Sequence, residues 1–600
     1  MSHYQAPLRD IAFVQQDLLE IEQYFQATDC WQEMNTELVD AVLNESAKFC
    51  EEVLAPLNAV GDSEGCQWHE GVVTTPTGFK EAYQQYVEGG WPALEGDEAF
   101  GGQAFPKSIA IAVTEMSGTA NWAWSMYPGL SHGACHTISH HGSDEQKQQF
   151  MPKLVDGSWT GTMCLTESHC GSDLGLLRSK AEPNGDGSYA ISGTKIFISS
   201  GEHDMAENII HIVLARLPGA PKGTKGISLF IVPKFIVDVE GNLGERNAVS
   251  CGSLEHKMGI HGNATCVMNF DGATGYLIGE ENRGLNAMFT FMNTARIGTA
   301  AQGLAHAEWA YQNSLAYAKD RTQMRSLSGT KAPEKEADPI IVHADVRRML
   351  MTQKVFSEGA RMLVYWVAQL SDQTVHPAGG DADKADELLS LLTPIAKAFA
   401  TETGFESANL GMQIFGGHGY IKEWGMEQNV RDSRISMLYE GTTGIQSLDL
   451  LGRKILLKAG EPLQLLIKEM SAFCKSHSDN PDMAEFIAPL STLLKAWGDN
   501  TMKIGMAAMK NQDEVNAACV DYLMYSGYIT YAYLWAKAAA VAQQKLAAGD
   551  NAGGDEFYRN KVYSAQFYYQ RILPRTAGLE QTMMSGVKNV INAEFDPFAS

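Results

Sequence analysis

The sequence predicts an α+β protein, in which helical segments come before and after a single module of β-strands. Apolar residues recur at three- and four-residue spacing up to about residue 160 and again from residue 284 onward, which is typical of amphipathic helices. Between these segments, short β-type runs alternate with Gly, Asn and Asp, as strands and turns do. Strands and helices do not alternate along the chain, so a parallel nucleotide-binding sheet is not expected.

We predict four domains, because 600 residues are too many for one ordinary hydrophobic core. An N-terminal helical domain covers residues 1–160. A β domain covers residues 161–280, and its clearest strands are "GSYAISGTKIFIS", "NIIHIVLARL" and "GISLFIVP". A helical bundle covers residues 281–457 and is interrupted by a polar loop at 325–339. A further helical domain covers residues 458–600.

The composition of the chain indicates which kinds of partner and which compartment to expect. The formal net charge of −25 disfavours nucleic acid, because a negative field repels phosphate backbones, and weakly disfavours an anionic membrane surface. Glycines, histidines and Pro128 interrupt the uncharged stretch from Met116 to Ser143, so we expect buried helices there and no membrane span. Ten scattered cysteines without a C-x-x-C pair favour reduced thiols. The N-terminus lacks the pattern of a signal peptide, and we predict a cytoplasmic protein.

One carboxylate stands out in "SMLYEGTTGIQ", residues 436–446. Thr443 and Gln446 have the spacing of a capping box, which predicts that the Thr side chain caps a helix and the Gln reaches back to it. Glu440 would then lie in a tight turn, where Gly441 removes side-chain bulk. Two interpretations are open at this point: the carboxylate complements the helix dipole, or it is a catalytic base.

Two glycine-rich stretches complete the set of motifs. "LTESHCGSDLG" (165–175) and "IFGGHGY" (414–420) have the composition that lets backbone N–H groups approach a ligand oxygen or phosphate. Taken alone, the first is better explained as an ordinary loop and the second as a connection between two helices.

Together with their neighbours, these motifs resemble the acyl-CoA dehydrogenase family. "GSDEQKQQFMPKLVDGSWTGTMCLTE", "GTKIFIS", "QIFGGHGY" and "YEGTTGIQ" occur in the order and at the spacing of that family, over roughly residues 45–455. "APLRDIAFV" and "LEHKMGIHGNATCVMNFDGATGYLIGE" resemble its branch of about 600 residues. The resemblance implies an N-terminal helical domain, a middle β-barrel domain, a helical bundle and an extra C-terminal helical domain.

The resemblance also implies a chemistry. FAD would be the cofactor, and an acyl-CoA thioester would lose an α-proton to Glu440 and a β-hydride to the flavin, giving the trans-2-enoyl-CoA. An electron-transferring flavoprotein would accept the electrons, and the chain would form a homodimer. A linear fatty acyl-CoA and a 3-methylmercaptopropionyl-CoA both remain open as substrates. An acyl-CoA oxidase and a DNA-associated alkylation-response flavoprotein are less favoured alternatives.

The resemblance further assigns individual contacts. The FAD contacts would be Met163, Cys164, Leu165, Thr166, Gly171, Ser172, Phe197, Ile198, Ser199, Thr442 and Gly444, with Arg321, Gln413, Ile414, Phe415, Gly416 and Gly417 reaching the FAD of the neighbouring subunit. The substrate contacts would be Ser172, Asn293, Arg296 and Gly441. Ser168, His169 and Cys170 stand where the family usually has Pro-Gly-Ala.

Other polar residues have simpler explanations. His132, His136 and His140 lie at i, i+4 and i+8, but we expect no carboxylate partner for them, and Gly133 weakens the helix. We therefore predict packed or partly exposed histidines and no metal site. We interpret the carboxylates of "EKEADP" (334–339) as a solvated loop, and the aromatic run "YITYAYLWA" as core.

Overall fold

The computed structural model describes residues 4–549, 554–591 and 594–599. The chain divides into two compact units. One comprises residues 1–44 and 299–600 and is called here the helical unit, and the other comprises residues 45–298 and is called the sheet unit. The predicted division into four domains stays a prediction.

Helices provide most of the described structure. The α-helices are α1 (Leu8–Ala12), α2 (Ile21–Gln26), α3 (Thr36–Phe49), α4 (Ala55–Glu64), α5 (Phe79–Glu88), α6 (Lys107–Ala120), α7 (Trp122–His141), α8 (Asp144–Val155), α9 (Gly284–Asp320), α10 (Ala344–Val375), α11 (Ala382–Phe415), α12 (Met426–Arg434), α13 (Thr443–Leu448), α14 (Glu461–Ser476), α15 (Ala484–Ala508), α16 (Asp513–Ala548), α17 (Asp555–Phe567) and α18 (Arg575–Met583). Helix α9 begins in the sheet unit and ends in the helical unit.

The strands of the described residues all lie in the sheet unit. They are β1 (Gln67–His69), β2 (Val72–Thr74), β3 (Trp159–Cys164), β4 (Lys180–Pro183), β5 (Tyr189–Ser199), β6 (Asn208–Ala215), β7 (Ser228–Pro233), β8 (Phe235–Val237), β9 (Leu243–Arg246), β10 (Val249–Leu254) and β11 (Thr265–Ile278). The three strands predicted from the sequence correspond to β5, β6 and β7. The small hairpin β1–β2 was not predicted; Glu70 and Gly71 form its two-residue turn with positive φ angles.

The main sheet has the order β3-β6-β7-β11-β5-β4, and β10 also pairs with β11. Strands β3 and β6 run parallel, whereas the other pairs are antiparallel. Every residue of β6 and β7 is buried, which explains their continuous apolar sequences. Lys180, at the start of the edge strand β4, forms an isolated β-bridge with Arg216, which follows β6. The edge strand β4 is therefore also linked to the chain just after β6.

Helix α7 packs closely on β3 because Gly161 lies at the contact. A Cβ atom at Gly161 would come within 2.4 Å of the Ala134 Cβ. Helices α6 and α7 account for the uncharged stretch from Met116 to Ser143. None of the helices in the described part of the chain combines the length and apolar character that a bilayer crossing would need.

The core of the helical unit is built from α10, α11 and α16. Helix α9 crosses α11 in close contact, since a Cβ at Gly303 would lie 2.3 Å from the Ala400 carbonyl oxygen. In α16, the predicted core run "YITYAYLWA" is entirely buried. A helix that is apolar on all sides needs this kind of burial, and α16 obtains it from α10, α11, α15 and α17.

A buried group of charges connects the ends of the chain within the helical unit. Asp10 of α1 pairs with Arg361 of α10 and with Lys561 of α17, and Lys561 also donates to Glu358 at 2.7 Å. Arg361 donates to Glu308 of α9 at 3.0 Å. Burial alone would raise the pKa of Asp10, but Lys561 and Arg361 hold it well below its usual range. The C-terminal helices are thereby joined to the bundle through polar contacts as well as through apolar packing.

The polar loop after α9 differs from its prediction. Asp338 is fully buried, and its carboxylate accepts hydrogen bonds from the backbone N–H groups of Ser326, Lys331 and Ala332 and from the Arg325 side chain. Burial opposes ionisation, but these donors lower the pKa of Asp338 well below its usual value. The prediction of a solvated loop is therefore wrong for Asp338, because the loop folds around this carboxylate.

Candidate active site

Glu440 lies in a turn of two consecutive left-handed residues. The φ angles are +55° at Glu440 and +87° at Gly441. This conformation is unfavourable for a residue with a side chain, costs of order 1 to 3 kcal/mol, and is concentrated at functional sites. The side chain of Glu440 is half-buried, and its Oε2 atom is shielded from solvent.

The capping prediction is wrong by one residue. The helix α13 has Thr442 at its N-cap, and the Thr442 Oγ1 accepts from the Ile445 N–H at 3.1 Å. Gln446 does reach back, but its Nε2 donates to the carbonyl oxygen of Glu440 at 2.8 Å. Thr443 instead donates to a carboxylate oxygen of Glu402 at 2.6 Å. Thr442 therefore caps one N–H group at the start of α13, and Gln446 holds the Glu440 carbonyl.

Residues that the sequence analysis did not single out also hold the turn. Lys397 of α11 is fully buried and donates to the Gly441 carbonyl oxygen at 2.7 Å. Tyr439 donates to the side-chain oxygen of Gln302 in α9. The sequence did contain a sign that Lys397 is special, because it is the only charged residue in the apolar run "LLTPIAKAFA".

The predicted flavin segments of the sheet unit lie side by side. Thr166 follows the end of β3, and its carbonyl oxygen accepts from the Ile196 N–H of β5 at 2.9 Å. The buried Lys195 donates to the Leu165 carbonyl oxygen, also at 2.9 Å. Met163 and Ser199 are half-buried, whereas the side chains of Cys164, Leu165 and Ile198 are buried, so these three can offer a ligand only their backbone.

Phe197 projects from an irregularity in the sheet. The register between β5 and β11 shifts here, so that Lys195 faces Met268 and Ile198 faces Cys266. Phe197 has a φ of +59°, and 59% of its surface is exposed. A bulge of this kind redirects a side chain out of the sheet, and it leaves the Phe197 ring exposed.

The loop after β3 keeps its shape without Pro-Gly-Ala. Glu167 and Cys170 exchange two backbone hydrogen bonds, which close a turn around Ser168 and His169. The Glu167 carboxylate accepts from the Arg178 N–H, the Ser179 N–H and hydroxyl, and Lys195. Burial alone would raise the pKa of Glu167, but Lys195 and the other donors lower it to about 2. Gly171 and Ser172 follow this turn and are exposed.

The same turn holds a possible ligand set for a cation. The ligand atoms of Glu167, His169 and Cys170 lie within 4.8 Å of one another. The Glu167 carboxylate is already engaged by the Lys195 ammonium at 2.9 Å. A second cation would be repelled there, so we assign no metal to this group.

The predicted substrate residues of α9 are adjacent to each other. Arg296 is buried, and its guanidinium donates to the side-chain oxygen of Asn293 at 3.3 Å. Asn293 itself is exposed. The other predicted substrate residues, Ser172 and Gly441, lie in the loop after β3 and in the Glu440 turn.

In the helical unit, the segment 413–417 lies near the end of α9. The Phe415 ring stacks on Tyr317 with a centroid distance of 4.0 Å, and Arg321 follows Tyr317 by one helical turn. Arg321, Gln413, Gly416 and Gly417 are exposed. The side chains of Ile414 and Phe415 are buried in apolar clusters, which leaves them backbone contacts only.

The histidines of α7 have a carboxylate neighbour after all. The Nδ1 atom of His132 lies 3.5 Å from a Glu95 oxygen. The charge of Lys107, followed by burial, lowers the pKa of His136 to about 3, so His136 is neutral at physiological pH. His132 and His136 are half-buried and His140 is exposed, in agreement with the prediction of packed or partly exposed histidines.

Comparison with known families gives a consistent result along the chain. Four models match in order: the N-terminal domain (residues 36–158), the middle domain (162–273) and the C-terminal domain (282–456) of acyl-CoA dehydrogenases, and an acetyl-CoA dehydrogenase C-terminal-like domain (466–594). The chain belongs to the acyl-CoA dehydrogenase family. This result confirms the predicted family, the α+β fold and the enzyme class, an oxidoreductase.

Two of the relatives match this chain over nearly their whole length. The chain is 41% identical to 3-methylmercaptopropionyl-CoA dehydrogenase of Ruegeria pomeroyi, over 95% of this chain and 96% of the relative. It is 35% identical to the broad-specificity linear acyl-CoA dehydrogenase FadE5 of Mycobacterium tuberculosis, over 96% of each chain. The fold is similar to that of an acyl-CoA dehydrogenase from Bacillus anthracis solved with FAD, with a TM-score of 0.71, 21% identity, and coverage of 95% of this chain and 91% of that chain.

Proposed function

We propose that the chain converts an acyl-CoA thioester to its trans-2-enoyl-CoA with Glu440 as the base. The carboxylate of Glu440 takes the α-proton of the thioester. FAD, when bound, supplies the acceptor for the β-hydride. The observation that supports this role is the strained turn of Glu440 and Gly441, whose two carbonyl oxygens are held by Gln446 and Lys397. A base must be fixed in position to remove a weakly acidic proton, and this turn provides that fixation.

The residues of the sheet unit fit FAD. The exposed Phe197 ring offers a planar surface, and the exposed backbone of Gly171 and Ser172 offers room for close approach. We assign FAD contacts to Met163–Thr166, Gly171–Ser172, Phe197–Ser199, Thr442 and Gly444. We assign substrate contacts to Ser172, Asn293, Arg296 and Gly441.

Two substrates have specific support. The 41% identity to a 3-methylmercaptopropionyl-CoA dehydrogenase over nearly the whole chain favours a methylthio-propionyl thioester. The 35% identity to a linear acyl-CoA dehydrogenase favours a linear fatty acyl thioester. Purified holoenzyme assayed with both thioesters decides between them by the ratio of their kcat/KM values.

Replacing the base tests the mechanism. We expect Glu440→Gln to keep FAD and to bind the thioester, and to lose anaerobic bleaching of the flavin by several orders of magnitude, because the amide keeps the shape but takes no proton. Glu402→Gln is the matched control, since Glu402 is a nearby carboxylate that accepts a hydrogen bond from Thr443, the first residue of α13. Bleaching of Glu440→Gln at the wild-type rate would show that another group is the base.

The acceptor and the assembly are further parts of the proposal. We propose an electron-transferring flavoprotein as the electron acceptor, and comparing it with oxygen after bleaching separates this role from that of an oxidase. We propose a homodimer in the cytoplasm. Arg321 and Gly416–Gly417 are exposed, so a second chain could approach them, which supports the dimer. All ten cysteines are thiols, which supports a reducing compartment.

A further inference from the structure

Lys397 is a buried charge in an apolar part of α11. Its neighbours Ile395, Ala396, Ala398 and Phe399 are all buried, and Lys397 itself has no exposed surface. An ammonium group in such surroundings is costly unless hydrogen-bond acceptors compensate for the lost water. One compensating contact is the Gly441 carbonyl oxygen, 2.7 Å from its Nζ.

The contact falls at the residue next to the proposed base. In the Glu440–Gly441 turn, both peptide planes are held from outside the turn. Gln446 donates to the Glu440 carbonyl and Lys397 to the Gly441 carbonyl, at 2.8 and 2.7 Å. Because Glu440 has a side chain and a positive φ angle, we expect the turn to relax toward more common backbone conformations when these anchors are removed. Such a relaxation would rotate the Glu440 side chain away from its position.

Gln446 and Lys397 hold the turn from two different helices. Gln446 belongs to α13, the helix that begins right after the turn, and α13 itself packs against α11 and α16. Lys397 belongs to α11, which contacts the C-terminal helices α14 and α16. Phe399 of α11 packs against Gly527 of α16 so closely that a Cβ there would lie 2.3 Å from the Phe399 ring. Arg575, the first residue of α18, donates two hydrogen bonds of 2.8 Å to Glu406 of α11.

We propose that Lys397 is a positioning residue for the base, which ties the Glu440 turn to the rigid helix α11. This inference rests on the proposed role of Glu440. It also gives the C-terminal helices a part in the active site, because they hold α11 in place. Lys397 acts on the reaction through the backbone of the turn.

The test compares Lys397→Met with a matched buried lysine. Lys561→Met removes an equally buried ammonium from the helical unit, but one that pairs with Asp10 and Glu358. Each holoenzyme is examined for FAD content, for the limiting rate of anaerobic flavin bleaching by an acyl-CoA thioester, and for the thioester Kd. Hydrogen–deuterium exchange of residues 436–448 reports on the turn itself.

We expect Lys397→Met to lower the limiting rate by roughly 10- to 100-fold, the effect of losing a hydrogen bond from a charged group, with the Kd nearly unchanged. Exchange in residues 436–448 should accelerate, and Lys397→Arg, which keeps a charged donor, should recover part of the rate. Lys561→Met should lower thermal stability and leave the rate within about twofold of wild type, as expected for a contact outside the turn.

Other outcomes overturn the proposal. A limiting rate for Lys397→Met within about twofold of wild type, or an equal loss in Lys561→Met, would mean that Lys397 only stabilises the fold. If Lys397→Met does not fold, Lys397→Gln replaces it, with the same two criteria. If no thioester bleaches the wild-type flavin, the proposed function fails. If hydrogen–deuterium exchange in residues 436–448 of Lys397→Met is unchanged, Lys397 does not hold the Glu440 turn to α11.

Discussion

The buried pair of Lys195 and Glu167 offers a quantitative test of how the predicted flavin segments are held. Lys195 is fully buried, and its Nζ lies 2.9 Å from both the Leu165 carbonyl oxygen and a Glu167 oxygen. Lys195→Met removes the counter-charge and leaves Glu167 with its three donors from Arg178 and Ser179. The result is a buried carboxylate without a compensating charge.

The magnitude follows from the ionisation of Glu167. Its pKa falls from an ordinary 4.5 to about 2: burial opposes this shift, and Lys195 is the largest of its causes. At roughly 1.4 kcal/mol for each tenfold change in the ionisation constant, the shift corresponds to about 3 to 4 kcal/mol, of which Lys195 supplies one part and the Arg178 and Ser179 donors the rest. Breaking a buried pair by removing one partner typically costs about 3 to 5 kcal/mol. We therefore expect Lys195→Met to lower the free energy of unfolding by about 3 kcal/mol at pH 7.

The pH dependence has a definite sign. A carboxylate whose pKa is depressed in the folded state stabilises the protein above its unfolded pKa, and this stabilisation is lost as the pH falls through the folded value. The difference between Lys195→Met and wild type should thus be largest above about pH 5 and should shrink as the pH falls from about 4.5 toward 2. Denaturant unfolding followed by tryptophan fluorescence at pH 7 and at pH 3 measures this difference.

A double variant makes the test sharper. Burial lowers the pKa of Lys195, because its ammonium group loses its hydration inside the protein. Lys195→Met with Glu167→Gln removes both charges and keeps the backbone donors near the Gln side chain. We expect the double variant to recover most of the lost stability. A double variant as unstable as Lys195→Met, or an equal loss at pH 7 and pH 3, would refute the electrostatic explanation.

Two further predictions concern the proposed site. Arg321→Ala should weaken FAD retention by roughly ten- to hundredfold, the loss of about 1.5 to 3 kcal/mol from one charged hydrogen bond; a light-scattering mass of one chain with stoichiometric, tightly held FAD would contradict the shared site. Gly441→Ala should keep FAD and slow flavin bleaching more than about tenfold, because φ is +87° and a Cβ would lie 2.5 Å from the Gln446 amide. Gly452→Ala, whose Cβ would have its nearest neighbour at 4.0 Å, is the control, and equal rates in the two variants would argue against strain at the turn.

The cap of α13 shows what a local sequence pattern can predict and what it cannot. Thr442, Thr443 and Gln446 are all compatible with a helix start, and the spacing of Thr443 and Gln446 matched a capping box. The structure places the cap at Thr442, because Thr443 finds a partner in Glu402, 41 positions away in the sequence. A one-residue choice between adjacent threonines depends on such a distant partner, and the local spacing contains no information about it.

The sequence by itself determined the order of helical and sheet segments, the strands β5 to β7, and the position of Glu440 in a tight turn beside Gly441. These features follow from apolar periodicity and from glycine, which act over a few residues. Only the tertiary structure decided that Lys397 holds this turn, that Phe197 leaves the sheet at a bulge, and that Asp338 is buried. Each of these depends on groups brought together from separate segments: α11 against the Glu440 turn, β11 against β5, and the loop donors around one carboxylate. Local patterns specify which element forms, whereas burial and hydrogen-bond partners depend on what the folded chain places next to it.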